Sequence, residues 1–435
     1  MVQTLIAVSS LLLGVGVMML GNSLLGIALP LKMNAAGIST EVTGVIMAAH
    51  FAGLLAGAIY GKRLIIEVGH IRAFAGFGAI MAAVGLAHAM LLHALSWGML
   101  RFLYGFCIAG VFAAMESWLN ERSGNETRGR LLGIYMIVHY AATVTGQLMI
   151  NLWDLAGVQA FVMASLLISL SLVPVALTRV EAPDLSELRP LSFRELHGVS
   201  PLAVIGCGVT GLMMGAYYGI GPIFARQLGF GVFEVSLFMG SVILGALVLQ
   251  WPIGRLSDRY DRRTVLLTML ALTVLVCAAG IGSTVFRDPL PVLLGLGALL
   301  GGAMTSVYPI SLAQAYDYLT RDRYVAASGG LLLAYALGAT AGPVLAAVVM
   351  GALGAHAFFG YIGLVAGGFM VFVFYRMQAR APLPAEQQES FVALPRMSPV
   401  AAELDPRSAA PDGGFDDPRD DDEAEEPEET APAEG

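Results

Sequence analysis

Charged side chains are what this chain has least of. Asp, Glu, Lys and Arg make up 13% of its 435 residues, whereas 57% are hydrophobic; a soluble domain carries roughly a quarter charged residues because its surface must hold water. That shortage excludes an ordinary soluble exterior and leaves lipid as the surrounding medium. Cysteine is nearly absent too. Cys107, Cys207 and Cys277 each sit inside an apolar run without paired spacing, as small packing hydrophobes do and as disulfides or metal ligands do not. The sequence has no phosphate-cradling loop, which excludes transport driven by this chain's own ATP hydrolysis. It has no nucleophile-and-base arrangement and no cluster of metal ligands, so neither an enzyme nor a cofactor or metal is expected. A basic surface is lacking as well. Of the net charge of −8, the stretch from Gln378 onward holds −12, with 16 acidic residues against four arginines, which leaves only +4 for the rest. No nucleic-acid partner is expected from so thin a basic balance.

What is present is a succession of long apolar runs. About 20 apolar residues cross about 30 Å of hydrocarbon, and inside lipid the backbone must bond to itself, so each run predicts a helix. The runs place spans at 5–31, 41–62, 71–93, 95–120, 129–152 and 156–178, then at 200–227, 234–255, 263–286, 289–318, 323–352 and 355–377. The first lacks a basic leader and is too long for the apolar core of a cleaved signal. The expected fold class is an all-α membrane protein with twelve transmembrane helices.

Arginine and lysine set the orientation. Loops on one side carry Lys62, Arg63, Arg72, Arg122, Arg128, Arg130, Arg179, Arg189, Arg194, Arg255, Arg259, Arg262, Arg263, Arg321, Arg323 and Arg376; the other side has only Lys32, Arg226 and Arg287. By the positive-inside rule both termini face the cytoplasm, and a multi-pass protein of the bacterial cytoplasmic (inner) membrane is expected. A polar interruption at 179–199 divides a six-helix bundle at 1–178 from a second at 200–377. Residues 378–435, rich in Pro, Ala, Asp and Glu, offer too little apolar surface to offset chain entropy and are expected to be a disordered acidic tail.

The two halves repeat at a nearly constant offset. Glu41-Val42-Thr43 matches Glu234-Val235-Ser236, and Gly61-Lys62 matches Gly254-Arg255, both shifted by 193. Met18-Met19 matches Met213-Met214 at 195, Gly105 and Gly110 match Gly297 and Gly302 at 192, and Gly133 and Gly146 match Gly329 and Gly342 at 196. Parallel repeats of this kind place a solute site at their interface and work by rocking of the halves.

The segment Gly254-Arg255-Leu256-Ser257-Asp258-Arg259-Tyr260-Asp261-Arg262-Arg263, between the eighth and ninth spans, resembles the Gly-x-x-x-Asp-Arg-x-Gly-Arg-Arg gating loop of the major facilitator superfamily. Asp261 replaces the usual glycine. The first-half copy, from Gly61 to Arg72, has Ile65 where the acidic residue belongs. Arg101 and Gly105 are similar to the family's fourth-span pair, and Arg130 with Gly133 fits the entrance to the fifth. The fifth-span Gly-x-x-x-Gly-Pro signature of drug/proton antiporters is missing where Gly146-Gln147 stands; a related Gly338-x-x-x-Gly342-Pro343 lies in the eleventh. The resemblance covers residues 1–378 and is nearest to a bacterial branch of the superfamily, leaving the substrate open. It implies two pseudo-symmetric bundles, alternating access, and a gating motif of Gly254, Asp258, Arg259, Arg262 and Arg263, echoed by Gly61, Arg72 and Arg130. Asp258 at a helix end is expected to hold the inner gate shut by an ion pair or a facing helix N-terminus; the alternative is that the arginines only fix topology.

Charges inside a span cost about 2.5–3.5 kcal/mol even on the mild insertion scale, which singles out Arg101 and Glu116 in the fourth span. Arg101 lies within snorkelling reach of the outer end. A carboxyl withdrawn from water takes up a proton more readily, so Glu116 is a candidate for proton coupling; pairing with a loop arginine is the rival. In the fifth span His139, Thr143, Gln147 and Asn151 recur every four residues beside Tyr140, as a polar stripe that lines a cavity or bonds packed helices. His139 is the second proton-coupling candidate because histidine changes charge near neutral pH; His50 is a weaker one. Asn22, Tyr217, Tyr218, Gln250, Tyr308, Gln314 and Tyr335 complete the expected cavity set, with Asp317 as a rim charge. At the offset of 192, Tyr308 stands where the first half has Glu116, so the halves are chemically unequal.

The expected activity is secondary active transport of a small polar or zwitterionic organic solute by a monomer, with protons as the candidate co-substrate and the bilayer as the other partner. Export of toxic compounds, or a transporter-like receptor that signals through the acidic tail, are the alternatives.

Overall fold

The computed structural model describes residues 2–123, 125–177, 190–283, 290–379, 388–392, 394–396 and 398–408. The expected charges at Arg179, Arg189 and Arg287, and the acidic run from Asp420 to Glu429, lie outside these residues. The first bundle contains α1 (Val2–Ala35), α2 (Thr40–Val68), α3 (His70–Met90), α4 (Ala94–Glu121), α5 (Asn125–Leu148) and α6 (Gln159–Ala176). A short helix, α7 (Phe193–Val199), precedes the second: α8 (Pro201–Gln227), α9 (Val232–Arg259), α10 (Arg262–Ser283), α11 (Leu290–Tyr316), α12 (Tyr324–Leu353) and α13 (Ala357–Ala379). Twelve of these, all except α7, are long and apolar enough to cross a membrane. The expected polar interruption at 179–199 thus contains a helix that hydropathy does not reveal. Its start is set by a capping box, in which Ser192 and Glu195 satisfy each other's backbone N–H groups.

The halves are built alike. In the first, α1 packs on α5 and α6, α4 on α2 and α3, and α3 on α6; in the second, α8 packs on α12 and α13, α11 on α9 and α10, and α10 on α13. Glycines allow the closest of these approaches. A Cβ on Gly53 would lie 1.9 Å from the Phe102 carbonyl oxygen, and one on Gly105 equally close to that of His50. In the second half Gly245 and Gly301 face the Ala298 and Val242 carbonyls at 1.9 and 1.8 Å, so the packing equivalent of Gly105 is Gly301, one turn beyond the Gly297 expected from the offset of 192. Apolar burial cannot drive helices together within lipid, so close backbone packing at small residues does.

The bundles meet at one end. There α2 packs on α12 and α5 on α9, Asn151 donates to the Ser236 hydroxyl at 2.9 Å, and Gln227 donates to Thr40 at 3.2 Å. Asn151 sits in the 3-10 turn Met149–Leu152 that ends α5, where it bonds the other bundle instead of extending the stripe.

At the opposite end, here the tail end, the bundles meet through the tail. The described tail residues, 388–392, 394–396 and 398–408, lie between them, with 3-10 turns at Pro399–Leu404 and Pro406–Ser408 that contact α4, α5 and α12. This corrects the expectation of a disordered tail over that stretch. The segment carries Leu394, Val400, Ala401, Ala402 and Leu404, all buried, so it has apolar surface to dock although its average composition is acidic.

Candidate functional site

Where the bundles enclose space, a cavity of about 130 Å³ remains, smaller than the roughly 300–1,000 Å³ of sites that take drug-sized ligands. The first bundle lines it with Asn22 and Ser23 of α1, Met47, His50 and Phe51 of α2, Arg101 of α4, and His139, Tyr140, Thr143 and Gln147 of α5. The second contributes Met214 and Tyr218 of α8, Met239 of α9 and Tyr335 of α12. Leu394, Pro395 and Arg396 of the tail close it.

Arg101 does not snorkel; it is 4% exposed and faces this cavity. The Gly53–Gly105 contact draws α4 against α2 and brings the arginine beside His50 and Tyr104, with its guanidinium carbon 5.8 Å from the Tyr104 ring centre. Among the described residues, Arg101 Nε, His50 Nδ1, His139 Nδ1 and Gln147 Oε1 have no hydrogen-bond partner. Buried polar atoms are nearly always paired, so a cavity edged by four unpaired ones is chemically prepared for a polar guest or water.

The remaining sequence candidates go elsewhere. Glu116 is fully buried at the tail end of α4, where it accepts hydrogen bonds from Tyr135 at 2.8 Å and from the Ser398 hydroxyl. Tyr217 donates to the Met239 carbonyl and packs edge-on against Tyr218. Tyr308 lies behind Tyr335, edge-on at 5.6 Å. Gln250 is buried on α9 away from the cavity lining. Gln314 opens on a separate small cleft with Arg263, Tyr318 and Arg376.

Residues of the expected gating motif bind the tail. Gly254 leaves room for the Phe391 ring, 2.5 Å from where a Cβ would be. Asp258 accepts the Phe391 N–H at 2.6 Å. Arg262 pairs with Asp317 at 2.7 Å, both nearly inaccessible, and donates to the Glu389 carbonyl, while Asp317 accepts the Glu389 N–H at 3.0 Å. Asp317 is therefore a buried partner of the motif and not a rim charge. Burial raises its carboxyl above the usual range against the pull of Arg262. Arg263 pairs with Asp261, the residue standing where the family has glycine, at 3.2 Å. Arg259, Arg72 and Arg130 are exposed, and Gly61 marks the approach of α2 to Gly110 of α4. Sequence reading missed Ser23, Met47, Phe51, Met214, Met239 and the three tail residues. Nothing in a Pro- and Ala-rich stretch marks it as part of a site.

Two bundles paired alike around a cavity with a few unpaired polar groups define a multi-pass membrane protein of the secondary-transporter class. The Major Facilitator Superfamily model matches residues 11–203 and again 203–411. An "uncharacterized MFS-type transporter" of Enterobacter sp. (strain 638) is 30% identical over 347 residues, covering 78% of this chain and 88% of that protein. The MFS-type transporter YcaD of Escherichia fergusonii is 27% identical with the same coverage. Among solved structures, the nucleoside transporter NupG superposes with a TM-score of 0.65 at 13% identity, over 87% of this chain and 99% of that one. A bacterial homolog to the human lysosomal transporter Spinster, inward-facing and unoccupied, gives 0.66 at 13% identity over 86% and 95%. This chain belongs to the major facilitator superfamily and is a membrane transporter for a small molecule.

Proposed function

We propose that this transporter moves a small polar organic solute carrying an anionic group across the bacterial cytoplasmic membrane by alternating access, with the tail end facing the cytoplasm. The observation that carries this reading is Arg101, a buried cation on the cavity wall whose Nε has no partner among the described residues. Such a group is costly unless a guest supplies the acceptor. Direct contacts at the far end and an intervening tail at the other correspond to bundles parted toward the cytoplasm, with the tail filling the gap. The excess of basic residues in the loops at the tail end supports that orientation. Transport requires no covalent chemistry from the lining residues. A thermal-shift screen against a solute library identifies a ligand by preferential binding to the folded state. Flux of that ligand into proteoliposomes then tests the reading. Arg101→Gln should abolish both the shift and the flux; flux no faster than in protein-free vesicles would overturn it.

Proton coupling through Glu116 is part of the proposal. Its hydrogen-bond partners among the described residues are two hydroxyls, and it has no basic partner there. A buried carboxyl so placed is neutral or must exchange its proton as the site opens. Glu116→Gln should eliminate uphill transport and spare counterflow; persistence of uphill transport would exclude the role.

A further inference from the structure

The tail does more than cover an opening. Its Arg396 guanidinium carbon lies 5.6 Å from the ring centres of both Tyr308 and Tyr335. Tyr140 and Tyr218 complete the surroundings. Arg396 Nη1 has no hydrogen-bond acceptor among the described residues. Among the described residues the cation is therefore held by ring faces and not by a carboxylate. Each such contact is worth about 0.5–2 kcal/mol, so the guest is exchangeable. Two latches bring it there. Glu389 and Phe391 bind Arg262, Asp317 and Asp258 on one side, and Ser398 binds Glu116 on the other. Between the latches, Leu394, Pro395 and Arg396 line the same cavity as Arg101.

We propose that the docked tail is a pseudosubstrate carried on the same chain, and that its Arg396 fills a tyrosine cage which otherwise takes the cationic group of the transported solute. This deepens the transport reading above. With Arg101 and the tyrosine cage lining the same cavity, the solute class is a zwitterion with a guanidinium or ammonium group. Covalent attachment to the same chain keeps the arginine at an effective concentration on the order of millimolar. A weak internal ligand can therefore compete with solute and hold the inner mouth closed until it is displaced.

The test uses N-acetyl-arginine methylamide as the cationic probe and its norleucine analogue as the apolar control. Binding is measured by calorimetry on three purified proteins: the full chain, Arg396→Ala, and a chain ending at Gln387. The arginine probe should bind the last two at least tenfold more tightly than the full chain, and the norleucine analogue should bind none of them. Tyr335→Leu in the Arg396→Ala background should remove the gain. Equal binding to all three proteins, or equal binding of the two probes, overturns the proposal. Arg396→Ala retains the tail, so the test survives a truncation that fails to fold. Vesicle flux separates this inference from the transport reading. Probe binding without flux of any zwitterion leaves the cage and removes the transport function. Solute flux without probe binding removes the cage alone.

Discussion

The Asp258 carboxylate at the end of α9 accepts the backbone N–H of Phe391 at 2.6 Å. The acidic residue of the gating motif thus holds the chain's own tail and not a facing helix. A hydrogen bond to a charged group contributes about 1.5–3 kcal/mol. Asp258→Ala, which leaves no acceptor, should therefore weaken tail docking by about tenfold, since 1.4 kcal/mol is a factor of ten. The rate of thiol labelling of a Phe391→Cys reporter should rise accordingly. An unchanged rate would mean that Asp258 does not hold the tail.

The Arg262–Asp317 pair is almost wholly inaccessible. Removing one member strands the other, at a cost of about 3–5 kcal/mol. Asp317→Ala should lower the Tm of the detergent-solubilised protein markedly. Exposed Arg259→Ala should leave it within experimental scatter.

Gly53 meets the Phe102 carbonyl with no space for a side chain. Gly53→Val should separate α2 from α4 and cost about 1–3 kcal/mol, as overpacking does. It should also displace Arg101, so ligand-induced stabilisation should fall along with basal stability. The same substitution at Gly76, where a Cβ meets nothing within 4 Å, is the control and should do neither.

Tail docking should depend on pH through Glu403. Burial raises this carboxyl, while Lys62 of α2, Arg128 of α5 and Asn120 of α4 pull it down; Glu116 of α4 is its acidic neighbour. The docked tail holds the Glu403 proton more tightly than the free tail does. This contribution to docking is therefore full at low pH and is lost as pH rises through the raised value. Labelling of the Phe391→Cys reporter should slow on acidification, and Glu403→Gln should flatten that dependence. An unchanged slope in the variant would assign the effect to another group.

Much of the architecture was legible in the runs of apolar residues. Spans expected at 41–62, 95–120 and 355–377 appear as Thr40–Val68, Ala94–Glu121 and Ala357–Ala379, because in lipid an apolar run of that length has one way to satisfy its backbone. The site was legible only in part. His139, Tyr140 and Gln147 line the cavity, but Asn151 at the next step of the stripe does not, because the helix ends before it. Arg101 and Glu116 share one helix and the same intramembrane cost, yet one faces the cavity and the other bonds the tail.

The sequence by itself determined the number of spans, the doubling of a six-helix unit and the residues too costly to leave in lipid. These follow from local composition and from an offset that can be counted along the chain. Only the tertiary structure decided which polar groups remain unpaired and which segment fills the mouth. Those outcomes depend on contacts between residues far apart in sequence, such as Asp258 with Phe391 and Glu116 with Ser398, and no periodicity within one helix encodes them.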